Sequence, residues 1–436
     1  MVVGKRGGLL LAVLGLVVPG SPARAQAPKI TLQEAIERAN LVQPSVVSAF
    51  GTVRNAVARQ RSATGAFLPS LTVSGSRSNS YSEGQQLDPS TGQFTTSGTA
   101  TGSAGATVSS NVDLFAGFRR TGEKKAANAN RTAAEASLSN ARYQQQLATT
   151  NQFFDVLAAE QLLRVRESSV RRAEEQLKVA VAKLHAGRGI RPDSLRSVVT
   201  LGTAQLQLVN ARAALSTAEA NLGRLVGAET PVGAVDDSTL YTLLPPIDST
   251  GLREEALANS PSVKAAEASS VAARSAVQIS KASYWPTLSL SGSASMNGSS
   301  RNDYTFLNSR QVNLGLSWPI FNRFQREQGV VNALTSLDNA EAQAADSRRA
   351  VLANLRAAIA ALEAARLTIS ITQTSVLAAE EDLRVQQERY RLGAATIVDV
   401  LTSQEALNQA EVDAVTARFD YVRARAEISA LIGRTL

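Results

Sequence analysis

The chain contains no cysteine. That excludes disulfides and a lipid-modified N-terminal cysteine, so the mature protein is expected to be unlipidated. It contains a single histidine, His185, with no acidic partner at metal-ligand spacing. His185 reads as a solvated residue, and neither a metal site nor a cofactor is expected. There is no histidine pair, no glycine-rich phosphate loop and no G-x-S-x-G turn, so no catalytic residues are assigned and the chain is not expected to be an enzyme. No segment of 18 consecutive apolar residues follows the N-terminal leader, which excludes a transmembrane helix but not a closed β-barrel, whose signal per strand is weaker. Residues 123–186 and 330–392 contain neither glycine nor proline. They are rich in good helix formers, and as single helices each would reach about 95 Å, too long for a compact domain.

The leader itself spans 1–25. Lys5 and Arg6 precede an apolar run at Leu9–Val18, and Ala23-Arg24-Ala25 follows, the pattern of a secretory signal cleaved after Ala25. The formal charge of +8 includes three basic residues of this leader. The remaining basic residues are interleaved with acids, so nucleic acid is not an expected partner.

The rest of the chain is written twice. FLPSLTVSGS at 67–76 returns as YWPTLSLSGS at 284–293, and Pro44 returns as Pro261, both at an offset of 217. Farther along, Phe115, Phe118 and Arg120 match Phe321, Phe324 and Arg326 at an offset of 206, as Gly187 and Asp193 match Gly393 and Asp399. The first copy (26–227) therefore holds eleven extra residues between its two strand-like stretches, read as a longer loop containing Tyr81. A linker rich in Pro, Asp, Thr and Gly (228–251) joins it to the second copy (252–436).

Within each copy the long helical run carries a heptad. Val156, Leu163, Val170, Leu177 and Leu184 match Leu362, Ile369, Val376, Leu383 and Tyr390. After the glycine, Leu201, Leu208, Leu215 and Leu222 run beside Ala204, Ala211 and Ala218. Large residues at one seam position and alanine at the other predict closely packed helical hairpins with tips at 185–195 and 391–401.

Pro69 and Pro286 end the incoming helices, and period-two alternation follows. Strands are predicted at about 69–80, 103–115, 286–297 and 310–321. Val312, Leu314, Leu316 and Trp318 alternate with Asn313, Gly315 and Ser317; in the first copy Ala106, Val108, Val112 and Leu114 alternate with Thr107, Ser109, Asn111 and Asp113. One apolar and one small-polar face over about ten residues is the pattern of a membrane barrel strand. Phe67, Phe115, Trp285, Trp318 and Phe321 stand at the strand ends, where a membrane-interface girdle is expected. Four strands do not close a barrel, and an open edge is untenable in lipid, so a cyclic homo-oligomer is required. Two other classes fit less well. A coiled-coil scaffold, periplasmic or secreted and without a pore, has no use for such strands. A diffusion porin has no reason for 60-residue helices.

These features together resemble the TolC family of outer membrane efflux proteins, also called outer membrane factors. The residues that carry the likeness are the paired Gln43-Pro44-Ser45-Val46 and Ser260-Pro261-Ser262-Val263, the FLPSL and YWPTL junctions, and RLGAATIVDVLTSQ at 391–404. The resemblance spans nearly the whole mature chain. It implies a mainly α fold with membrane β: a homotrimer whose twelve-stranded barrel, four strands per chain, sits in the outer membrane above a helical tunnel through the periplasm. The implied function is a passive exit duct for an inner-membrane pump joined by a periplasmic adaptor, or for type I secretion. It further implies that the hairpin tips dock the adaptor, through Gly187, Arg188, Leu392, Gly393 and Ala394, and narrow to a gate at Asp399, Asp193 and Tyr390. Thr402 and Ala395 stand where relatives can carry a further acid and an arginine, so a single acid ring from Asp399 is expected. Three converging carboxylates would repel, favour cations and raise their pKa. Either aspartate could equally serve to start its returning helix.

Overall fold

A computed structural model describes residues 27–90, 92–237, 241 and 249–434. The predicted leader, 1–25, lies outside the described residues, as does much of the linker. The chain runs β1 (Lys29–Ile30), α1 (Leu32–Val42), α2 (Pro44–Gly65), β2 (Ser70–Leu87), β3 (Phe94–Ala116), α3 (Arg119–His185) and α4 (Arg191–Val226). After β4 (Gly233–Ala234) come α5 (Ser249–Asn259), α6 (Pro261–Lys281), β5 (Thr287–Ser299), β6 (Leu307–Ser317), α7 (Gln325–Leu392) and α8 (Ile397–Ile432). The second copy thus repeats helix, helix, strand, strand, long helix, returning helix.

Two observations explain where the helices begin. Pro44 and Pro261 are the first residues of α2 and α6, where a missing N–H costs nothing and the fixed φ suits the helix. Thr31 caps α1 by accepting from the Glu34 amide at 3.3 Å. The long helices are 67 residues in α3 and 68 in α7, about 100 Å each. Each turns back into a 36-residue partner, α4 or α8.

A helix this long is held by packing along its length rather than by propensity. Near mid-length, Phe153, Phe154, Leu157, Leu222, Val263, Phe419 and Ile428 are essentially inaccessible. They form one core with Ile30 and Ala234 of the parallel β1–β4 bridge. Burying such a side chain contributes about 1.5–3 kcal/mol, so this belt is the main anchor between the two repeats. The heptad residues Val170 and Ala204 pack in the first hairpin and Leu383 and Tyr390 in the second. The two hairpins are also clamped by charge: Arg172 on α3 donates to both carboxylate oxygens of Glu411 on α8, at 3.1 and 2.6 Å, and to Asn408 at 2.7 Å.

Above the helices lies a single antiparallel sheet in the order β2-β3-β5-β6. Its strands depart from the expected bounds in three ways. The eleven-residue insertion is not a loop. It lengthens the first hairpin, so β2 and β3 run 18 and 23 residues against 13 and 11 for β5 and β6. Ladder pairing continues unbroken to Leu87↔Phe94, because the Ser/Thr/Gly-rich alternation simply goes on, and Tyr81 sits in β2. Next, β6 ends at Ser317 rather than 321, since Pro319 cannot donate to a ladder and Arg323 and Phe324 take positive φ. Finally, a bulge lies between Asp113 and Phe115, where Asp113 pairs with Ser289 and Phe115 with Leu288. One extra residue flips the alternation, so Phe115 and not Leu114 continues the face of Val112.

Among the described residues no helix is long and apolar enough to cross a membrane. The sheet is the membrane-type element. Leu71, Val73, Val108, Leu314 and Leu316 lie on one face and are exposed, while the other is Ser, Thr, Asn, Gln and Gly along most of every strand, with Asp113, Ala116 and Leu307 at strand ends. Both edges, β2 and β6, are unpaired among the described residues.

Candidate functional site

The two ends of the molecule carry the candidate sites. At the sheet-to-helix junction aromatic rings gather as the repeat demands. Arg120 lies 5.0 Å over the Phe67 ring, and Arg326 lies 4.2 Å over Tyr284, the same pair in each copy. Phe118 meets Phe115 and Trp285 edge-on at 5.5 and 6.2 Å, and Phe321 meets Phe324 at 5.7 Å. Trp318 donates its indole N–H to the Tyr284 carbonyl at 3.2 Å. Of the five rings named from sequence, each stands at this junction and each is exposed or half-exposed. Tyr284, Phe118 and Phe324 join them; the F-x-x-F-x-R repeat marks the two phenylalanines, and the match of Tyr284 to Phe67 marks the tyrosine. Gly117 makes the turn possible. Its φ is +58°, and a Cβ there would lie 2.5 Å from the Ala282 carbonyl oxygen.

At the far end, Gly187 and Gly393 close the long helices with φ of +70° and +84°, a conformation other residues adopt only with strain. Their amides bond back to the carbonyls of Leu184 and Tyr390 at 3.0 and 3.1 Å. Arg188, Leu392, Gly393 and Ala394 are exposed, and Leu392 is 80% exposed, which leaves a large apolar side chain at the outermost point of the second tip. The first tip is positive: Arg188, Arg191 and Arg196 are exposed.

The aspartates differ. Asp399 forms a capping box with Thr396: its Oδ2 accepts from the Thr396 amide at 2.7 Å and hydroxyl at 2.8 Å, and the Asp399 amide donates to Thr396 Oγ1 at 3.3 Å. Those bonds hold its carboxyl below the usual aspartate range. Within the protomer the carboxylate is stabilised by these donors and remains exposed, whereas the upward shift expected from sequence concerns three carboxylates converging in a ring. Asp193 sits in the first turn of α4 without a capping box. It acts instead on the other hairpin. Burial first, and then the charge of Asp193, raises the pKa of Tyr390.

Tyr390 is buried, 5% exposed, and is where the tips meet. Lys183 of α3 donates its ammonium to the Tyr390 carbonyl and stands 3.8 Å over the Tyr390 ring. The Tyr390 hydroxyl has no partner among the described residues. The structure therefore brings Tyr390, Asp193 and Lys183 together and leaves Asp399 apart. Lys183 was not picked from sequence. The repeat pairs it with Arg389, which instead donates to the Ala394 carbonyl at 3.3 Å, so no repeated pattern marks it.

Among the described residues no group of histidine, cysteine or acidic side chains could hold a metal. A cavity of about 820 Å³ lies between α1, α3 and α8.

Comparison with known proteins agrees with this architecture. The model of the family described as Outer membrane efflux protein matches residues 35–228 and 252–434. The chain is 27% identical over 376 residues to the outer membrane efflux protein BepC of Brucella suis, covering 84% of this chain and 79% of BepC. It is 25% identical to the cobalt-zinc-cadmium resistance protein CzcC of Cupriavidus metallidurans, over 76% of this chain and 77% of CzcC. Among solved structures, the outer membrane protein VceC of Vibrio cholerae superposes with a TM-score of 0.77 at 18% identity over 93% of this chain and 96% of VceC. CusC superposes at 0.80 and 17% identity, over 96% of each chain. With its duplicated strand-and-hairpin unit matched in both halves, the chain belongs to the outer membrane efflux protein family.

Proposed function

We propose that the protein is the outer-membrane exit duct of a tripartite efflux pump or a type I secretion system. Three copies close a twelve-stranded barrel, and their helical hairpins form a tunnel across the periplasm. The duct is passive; an inner-membrane pump supplies the energy and a periplasmic adaptor joins the two. The observation that carries this reading is the four-stranded sheet with one apolar face and two unpaired edges, set on helices of about 100 Å. In lipid every backbone group must be paired. The sheet is completed when β6 of one copy pairs with β2 of the next, and the small-polar face then lines the lumen.

The tips take the pump-side role. Gly187, Arg188, Leu392, Gly393 and Ala394 dock the adaptor. Tyr390 with Asp193 and Lys183 ties the first hairpin to the second and sets the width of the entrance. Asp399 contributes an exposed charge at the mouth while starting α8. The rings at Phe67, Phe115, Trp285, Trp318 and Phe321 anchor the barrel at the periplasmic membrane interface. Relatives carry names for metal-ion resistance, pyoverdine export and alkaline protease secretion, so cargo is expected to follow the pump.

The test is conductance. Purified protein added to a planar bilayer should give discrete, uniform channel steps. A protein that binds the bilayer without conducting, or remains in solution, would overturn the duct reading.

A further inference from the structure

The apolar face of the sheet carries two charges that the duct reading leaves unused. Arg77 pairs with Ala104 across the first hairpin, and Arg310 pairs with Ala294 across the second. Count rungs from the base pairs Ser70↔Asn111 and Thr287↔Ser317, which the repeat makes equivalent. Arg77 is seven residues above Ser70, and Arg310 is seven residues before Ser317. The two arginines occupy the same rung of the repeated hairpin. One comes from the outgoing strand and the other from the returning strand. The repeat has kept one guanidinium at this level while changing the strand that supplies it.

Alternation fixes the direction of both. Arg77 shares its face with Leu71 and Val73; Arg310 shares its face with Leu314 and Leu316. That face meets lipid in the closed barrel. Both arginines are exposed, and neither has a hydrogen bond or ion pair among the described residues. Asn79 and Asn308 come next on the same face, Asn308 opposite Met296, so polar side chains enter the apolar face from this rung outward. The nearest acid on the face, Glu83, lies six residues beyond Arg77 and accepts from Tyr81 at 3.0 Å.

The height decides what the arginines meet. Seven residues span about 23 Å of strand, or about 18 Å along the axis at a tilt near 40°. The apolar band of such barrels is about 25 Å tall. Each guanidinium therefore starts inside the outer leaflet and reaches the outer headgroups by extending along the barrel wall. A planar, always-charged fork there suits bidentate contact with phosphate.

We propose that Arg77 and Arg310 form a ring of phosphate-binding sites on the outside of the barrel, one per hairpin and six per trimer. Their ligand is the phosphorylated glycolipid of the outer leaflet. The inference rests on the outer-membrane reading, and the test separates the two. Purified protein is exchanged into phosphatidylcholine nanodiscs containing diphosphoryl lipid A, phosphatidylglycerol or neither, and both trimer mass and retained lipid are measured by native mass spectrometry. The wild-type trimer is expected to retain lipid A, and the double variant Arg77→Gln/Arg310→Gln should retain about tenfold less at unchanged trimer mass, the effect of losing a charge-assisted bond at each site. Equal retention by the variant would overturn the proposal. So would equal binding of phosphatidylglycerol, which indicates bilayer charge alone, or displacement of the lipid by dilute inorganic phosphate. Should the glutamine pair fail to assemble, Arg77→Lys/Arg310→Lys keeps the charge without the fork; it should bind less lipid A than wild type, and equal binding refutes the bidentate site. Absence of a wild-type trimer would instead refute the outer-membrane reading itself.

Discussion

Replacing Lys183 by methionine tests whether the tips are held together by a local tie. Methionine keeps the stem and removes the ammonium. Two interactions go with it: the bond to the Tyr390 carbonyl and the contact with the Tyr390 ring at 3.8 Å. A partly desolvated cation–π contact contributes about 1–2 kcal/mol. The hydrogen bond adds a similar amount, less what water restores when the tip opens. A loss of about 2 kcal/mol per protomer follows, or about 6 kcal/mol for a trimer opening in concert, enough to move a mostly closed population to a mostly open one. The assay is single-channel recording of purified protein in planar bilayers. Lys183→Met should raise the conductance or the open fraction. Tyr390→Leu should do the same, whereas Tyr390→Phe should not, because the hydroxyl it deletes is buried without a partner among the described residues. Wild-type conductance in both Lys183→Met and Tyr390→Leu would refute the tie.

Other expectations follow from the same geometry. Thr396→Ala removes the cap of α8 and should cost about 1 kcal/mol of local stability, read as faster amide exchange over 396–402; unchanged exchange would show that the capping box is idle. The Asp399 carboxyl is held below its usual pKa by Thr396. Its contribution is therefore complete above the unfolded value of about 4 and is lost as pH falls through the lower folded value. The protection of amides at the second tip, taken relative to their intrinsic exchange rate at each pH, should fall on acidification through that window, and less so in Asp399→Asn. Arg172→Ala should loosen the two hairpins, with a coupling to Glu411 of about 1–3 kcal/mol in a double-mutant cycle; a coupling near zero would mean this ion pair does not help to join them. Gly117→Ala puts a Cβ 2.5 Å from the Ala282 oxygen at positive φ, so the trimer should assemble in lower yield and melt earlier.

The repeat made most of the fold readable. Helix length followed from the lack of glycine and proline, and the turning points followed from Gly187 and Gly393. Strand alternation was legible wherever Leu or Val alternated with Ser. It failed where local patterning could not report pairing. The inserted Ser/Thr/Gly stretch has no apolar beat, so only the ladder to Leu87↔Phe94 shows it to be strand. The bulge at Asp113 displaces Leu114 from a pattern that looks regular in one dimension. At the tips, residue type left Asp399 open as a helix start while the family resemblance implied a gate; its three hydrogen bonds with Thr396 make it the start of α8. The Lys183–Tyr390 contact joins residues 207 apart, and no spacing within either hairpin could reveal it.

The central claim is that the four-stranded sheet is one third of a barrel. Light scattering of the detergent-extracted protein from outer-membrane fractions, with detergent mass subtracted, tests it most directly. A particle of three chains is the predicted result. A monomer or dimer, or a protein found only in the soluble fraction, would contradict it and leave the edges of β2 and β6 closed in some other way.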